Sequence, residues 1–176
     1  YGVSAQILPW NFPLPIAGRG IAPALAAGNT VVVKPAPTAS LASVELASVY
    51  QEAGIPDGVI NVVTGGVEAG VALSSHEGVD TITFTGSVPT GQAVMESAAK
   101  TVTPVTLELG GKNPAIVFPD ADISQAVSTI ADGITRNSGQ ACSAPDRAIV
   151  HESIYDGFVQ QKVAKCESYV VGPGIE

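Results

Sequence analysis

The chain has 176 residues, 45% of them hydrophobic and 14% charged, which is ample for a packed core. Eight Lys and Arg against sixteen Asp and Glu leave a formal net charge of −8, which excludes the basic footprint of a nucleic-acid binder and the polybasic run of a membrane-surface protein. The longest uncharged stretch near the start, GIAPALAAGNTVVV, is broken by Pro23, Gly28 and Asn29 and falls short of a bilayer span, so neither nucleic acid nor membrane is expected as a partner.

In chain order, short β-branched runs (VSAQIL, TVVVK, VINVV, TITFT, PVTLEL) alternate with alanine-rich helical segments: PIAGRGIAPALAAG, SLASVELASVYQEAG and GQAVMESAAK. Nearly continuous apolar strands in a β-α-β-α order predict a doubly wound parallel sheet covered by helices on both faces, with GIPDGVIN as the turn from one helix to the next strand. A second unit begins after about Gly110. It holds a strand in PAIVF, a helix opening near DADISQAV with Asp122 as its N-cap, a strand in RAIVH and a helix from Ser153 to about Lys165. The expected division is a doubly wound α/β sheet over 1–109 and a second α/β unit over 110–176 that stops before closing on itself. The opening at Tyr1, without a signal-peptide layout, and the closing VVGPGIE turn read as ends cut from something longer. With two cysteines and no secretory signal, a reduced cytoplasmic setting without a disulfide is expected.

Parallel sheets bind ligands beyond the carboxyl ends of their strands, which directs attention to five turns. In LPWNFP, Asn11 either points its amide off the strand tip or satisfies the backbone of a proline-framed turn. In VVVKPAPTAS, Lys34 ends an apolar strand, either as a donor to a ribose or phosphate or as a solvated side chain. FTGSVPTG sets Gly86 and Ser87 ahead of a helix, where they could meet an anion or form a tight turn capped by Ser87. Glu108, in VTLELGGKNP, is either exposed at a strand tip or kept for proton transfer. Cys142, in RNSGQACSAPDRA, is a small buried hydrophobe or a presented nucleophile, and its small or polar neighbours Gly139, Gln140, Ala141 and Ser143 favour presentation.

Together PWNFP, KPAPTAS, GVINVVTGG, FTGSVPTG, LELGGKNPAIVFPDAD and GQACSAP resemble the aldehyde dehydrogenase superfamily along the whole chain, in the family's order and with Glu108 and Cys142 at the family's spacing. The resemblance implies most of a Rossmann-like dinucleotide-binding domain over 1–109, the incomplete start of an α/β catalytic domain over 110–176 and, from the glutamate at position 108, a non-acylating enzyme. Cys142 would attack an aldehyde, the Asn11 amide and the Cys142 N–H would hold the oxyanion, and Glu108 would activate water to hydrolyse the thioester. It also implies NAD or NADP as cofactor, bound by Trp10, Lys34, Pro37, Gly86, Ser87 and, at the nicotinamide end, Leu109, with the family's Glu-x-Phe-Gly-Pro segment outside this sequence. The longer parent would be a homo-oligomer, dimer or tetramer, and the isolated chain inactive. Where many NAD-preferring members carry a glutamate, this chain has Pro37, so both cofactors are expected to be accepted. The alternative is a truncated, non-catalytic dinucleotide-binding or interaction module. PDAD reads as a helix cap rather than a metal site, His76 and His151 as surface residues, and Cys166 as a packing residue.

Overall fold

The computed structural model describes residues 1–173; the last three residues of VVGPGIE, 174–176, lie outside them. The chain divides into two compact units, Tyr1–Gly110 and Gly111–Glu176. In the first, five parallel strands run in the order β3-β2-β1-β4-β5, with β1 at Val3–Ile7, β2 at Thr30–Lys34, β3 at Ile60–Val62, β4 at Thr81–Gly86 and β5 at Val105–Leu109. The helices between them are α1 (Pro13–Ala26), α2 (Ser40–Glu52, led in by a 3-10 turn at Pro37–Ala39), α3 (Val67–Ser74) and α4 (Val88–Ala99). All five expected strands are present. Helix α3 was not expected: VEAGVALS is too short to display a helical period.

The strand pleat sends alternate residues to opposite faces. On one face Ala5, Ile7, Ile82 and Phe84 pack with Val94 and Ala98 of α4, and Leu107 and Leu109 of β5 join them. On the other, Val31 and Val33 pack with Ala17 and Ile21 of α1. This second face changes character across the sheet. Gln6 pairs with Thr83, Thr83 with Thr106, and Thr85 with Glu108, so over β1, β4 and β5 it is polar. The expectation of apolar strands on both faces therefore holds for β2 but not for β4 and β5, whose TITFT and TLE alternate.

Asn29 ties the end of α1 to the start of β1. Its Oδ1 accepts the Gly2 N–H at 2.9 Å and its Nδ2 donates to the Ala24 carbonyl at 2.9 Å.

In the second unit β6 (Asn113–Val117) and β7 (Pro145–Val150) pair in parallel, and α5 (Ile123–Thr135) and α6 (Tyr155–Glu167) build a core of Val117, Val127, Ile130 and Phe158 with them. Asp122 caps α5, its carboxylate accepting the Gln125 N–H at 3.0 Å. Helix α6 opens at Tyr155 rather than Ser153, because Glu152–Ile154 form a 3-10 turn capped by His151, whose Nδ1 accepts the Ser153 N–H at 3.2 Å. Among the described residues no helix is long and apolar enough to cross a membrane, and no cluster of His, Cys, Asp or Glu could hold a metal ion.

Candidate active site

A cleft of about 710 Å³ opens in the first unit beyond the carboxyl ends of β1, β2 and β4. The strand order reverses between β1 and β4, so the cleft occupies the topological switch point of the sheet. Trp10, Lys34, Pro37, Gly86 and Ser87 all line it, with Gly70 and Val71 of α3 and Val94 of α4. Five of the residues singled out from sequence thus share one cavity. Leu109 is not among its lining residues; its side chain packs on the α4 cluster, where a Cβ on Gly91 would meet Leu109 Cδ2 at 2.8 Å. Asn11 is half-buried in the loop between β1 and α1.

Lys34 is 6% exposed, which decides against the solvated alternative. Its stem lies 3.7 Å from the position of a Cβ on Gly70, and its Nζ donates to the Pro35 carbonyl at 3.0 Å, using one of its three donors. Burial holds its pKa below the ordinary lysine value. An ammonium in that state gains from any ribose hydroxyl or phosphate oxygen that replaces lost water.

At the end of β4 a Cβ on Gly86 would lie 2.5 Å from Phe84 Cζ, so any side chain there would have to displace the buried Phe84 ring, and glycine leaves the backbone bare toward the cleft. Ser87 caps α4, its Oγ accepting the Thr90 N–H at 3.4 Å and lying 2.9 Å from Thr90 Oγ1. Because Pro89 has no N–H and that of Thr90 is capped, the first turn offers an anion the Val88 N–H and the exposed Ser87 hydroxyl. These donors, the buried ammonium and the apolar walls fit a phosphate-linked, ring-bearing ligand.

Glu108 lies away from this cleft, on the polar face of β5. Its Oε1 is 3.0 Å from Arg19 Nη2 of α1, with side-chain exposures of 47% and 59%, so the carboxylate is half-exposed and ion-paired rather than desolvated. The pair borders a chamber of about 220 Å³ walled by Gln6, Thr83, Thr85 and Thr106. Gln6 is buried there and donates from Nε2 to Ser4 Oγ at 2.8 Å, while its Oε1 has no protein partner. A threonine-lined space of this kind suits water. The sequence reading missed Arg19, although a lone charge in the otherwise uncharged PLPIAGRGIAPALA was its signal.

Cys142 belongs to the second unit, as an exposed free thiol on a turn leading into β7. The lead-in is unusual: Asn137, Ser138 and Gly139 are all left-handed, with φ of 50°, 57° and 77°. The turn closes by the Ala144 N–H donating to the Ala141 carbonyl at 3.1 Å. Asn113 at the start of β6 donates from Nδ2 to the Cys142 carbonyl at 2.6 Å and to that of Ala144 at 3.1 Å. Asp146 accepts the Asn113 N–H and the Lys112 ammonium, and these two bonds, that of Lys112 foremost, hold its carboxyl below the usual range. Asn113 and Asp146 also escaped the sequence reading. Cys166, expected to pack, is exposed on α6.

The family model described as "Aldehyde dehydrogenase family" matches residues 1–176. The chain belongs to the aldehyde dehydrogenase family. It is 49% identical to aldehyde dehydrogenase 1A1 of Oryctolagus cuniculus over 173 residues, covering 97% of this chain and 35% of that protein. Among solved family structures, it matches a betaine aldehyde dehydrogenase from Staphylococcus aureus in complex with NAD+ at a TM-score of 0.93 and 42% identity, covering 98% of this chain and 34% of that one. A 3,6-anhydro-L-galactose dehydrogenase in complex with NAP matches at 0.92 and 44% identity, covering 97% and 36%. The chain therefore spans about a third of the length of these aldehyde dehydrogenases.

Proposed function

We propose that the whole protein containing this chain oxidises an aldehyde to a carboxylic acid with NAD+ or NADP+, with Cys142 as nucleophile. The observation that carries the reading is the exposed thiol on a turn pinned at both ends, in a chain of this family. As a thiolate, Cys142 Sγ bonds to the aldehyde carbon, and the carbonyl electron pair moves onto oxygen; the Asn11 side-chain amide and the Cys142 N–H are the proposed donors to that oxyanion. Bound NAD+ or NADP+ would supply the hydride acceptor, and loss of hydride from the tetrahedral carbon would leave a thioester on Cys142 Sγ. Lys34, Gly86 and Ser87, which line the cleft of the first unit, would hold the ribose and phosphate portions.

Glu108 then takes a proton from water as the water oxygen attacks the thioester, releasing the acid and restoring the thiolate. Support comes from its half-exposed seat beside a polar chamber. An exposed ion pair contributes only about 0.2–1 kcal/mol, so the carboxylate can leave Arg19 at small cost. A cytoplasmic setting, which keeps both thiols reduced, is part of the proposal.

Rapid-mixing absorbance of the reduced nicotinamide tests the division of labour. With Glu108→Gln in the full-length protein, a first-turnover burst should survive, while steady turnover falls by about 10²–10⁴-fold. An undiminished steady rate would remove Glu108 from the mechanism.

A further inference from the structure

The turn that carries Cys142 is fixed by a side chain from outside the turn. The ladder between β6 and β7 shifts register between Asn113 and Pro114. At that irregularity the Asn113 side chain donates from Nδ2 to the carbonyls of residues 142 and 144, at 2.6 and 3.1 Å. Its backbone is anchored in turn, because Asp146 Oδ2 accepts the Asn113 N–H at 3.0 Å while Lys112 holds Asp146 Oδ1 at 3.2 Å.

We propose that Asn113 is a positioning residue for the Cys142 thiol, a role that rests on the reading of Cys142 as nucleophile. Pinning the carbonyl of residue 142 fixes the peptide plane that follows its Cα. The bond from the Ala144 N–H to the Ala141 carbonyl fixes the plane that precedes it. With both planes held, the Cα–Cβ direction and the Cys142 N–H have one orientation, so the sulfur and its oxyanion donor are presented as a unit. Asn113 supplies two donors from one planar group. Aspartate at this position would set carboxylate oxygens against two carbonyl oxygens, and serine would retain a single donor.

The test uses the full-length protein with Asn113→Ala, Asn113→Asp and Asn113→Ser, each normalised to titrated active sites. The burst rate constant is read together with iodoacetamide alkylation of the Cys142 peptide, and alkylation of exposed Cys166 in the same sample serves as the internal control. Asn113→Ala should slow both the burst and Cys142 alkylation by about tenfold to a hundredfold, with Cys166 alkylation and cofactor affinity unchanged. Asn113→Asp should lose at least as much, and Asn113→Ser should recover part. If Asn113→Ala fails to fold, Asn113→Ser decides, with an expected loss of about threefold or more. Burst and alkylation rates within about twofold of wild type in the folded variant would overturn the role of Asn113. Cys142→Ser is run beside them: if it retains turnover, the nucleophile reading fails first, whereas an inactive Cys142→Ser with a normal Asn113 series defeats only the positioning role.

Discussion

In the unit Tyr1–Gly110 the groups assigned to the cofactor stand at the ends of three parallel strands, and the sheet that forms the core also aims Lys34, Gly86 and Ser87. In the unit Gly111–Glu176 the thiol stands on a turn with a left-handed lead-in, and its direction depends on side-chain bonds from Asn113 rather than on a strand end. A site built from strand ends is as robust as the sheet. A site built on a clamped turn can lose its geometry to one substitution while the core beside it survives. Substitutions at the strand-end groups Lys34, Gly86 and Ser87 should therefore change cofactor affinity, and substitutions in the turn should change the reactivity of the thiol, each with little effect on the other.

The largest effect expected is on chemistry alone. Cys142→Ser should lower steady turnover by about 10³-fold or more, because a hydroxyl is a far weaker nucleophile than a thiolate, while cofactor affinity by fluorescence titration stays at the wild-type value. A parallel loss of affinity would break the separation.

Lys34→Met should do the reverse within the first unit. Loss of hydrogen bonds from a charged donor is worth about 1.5–3 kcal/mol, so the cofactor Kd should weaken by about tenfold to a hundredfold. Stability should not fall with it. The lysine pKa is lowered by burial, so between that lowered value and the ordinary one the unfolded chain binds more protons, and stability rises with pH. Below the lowered value the buried charge costs stability in full. The variant should thus melt at or above the wild-type temperature at neutral pH, with its advantage shrinking at alkaline pH. Thermal melts across pH check the sign, and a variant of lower Tm at neutral pH would contradict it.

Pro37 sharpens the picture of the same cleft. It lines the cavity at the start of a 3-10 turn, and the neighbouring lining residues Lys34 and Ala36 supply no carboxylate; the carboxylate among the lining residues is Glu96 of α4. The full-length protein should accept NAD+ and NADP+ with specificity constants within about tenfold, roughly 1.4 kcal/mol. Pro37→Glu should shift their ratio toward NAD+ by a similar factor. A strict NAD+ preference in the wild type would place the missing acceptor elsewhere.

The smallest effect expected is on the turn. At Gly139 φ is 77° and a Cβ would lie 3.1 Å from the Ile134 carbonyl, so Gly139→Ala should cost about 1–2 kcal/mol, read by denaturant unfolding, and slow the burst more than it weakens cofactor binding. Equal losses in both would argue against a turn-specific role.

The sequence made legible what depends on neighbours along the chain. The five strands were visible in their β-branched runs, the Asp122 cap in its place before an amphipathic run, and the exposure of Cys142 in its small flanking residues. Helix α3 was hidden because eight residues are barely two turns. Contacts between distant segments were hidden for a different reason. Lys34 is buried against Gly70 of α3, Glu108 meets Arg19 where α1 crosses the sheet, and Asn113 reaches carbonyls 29 and 31 positions away, contacts no local pattern encodes. Cys166 was misjudged because the helix FVQQKVAKCESY has a weak amphipathic pattern, and its cysteine falls on the exposed side.

In the proposed mechanism Cys142 carries the acyl group and Glu108 activates the water that removes it. The most direct measurement is peptide mass spectrometry of the full-length Glu108→Gln protein, quenched after the burst with an aldehyde substrate and NAD(P)+. One acyl adduct per active site is expected, on the peptide containing Cys142. A complete burst with no adduct there, or with the acyl group on Cys166 or another residue, would contradict it.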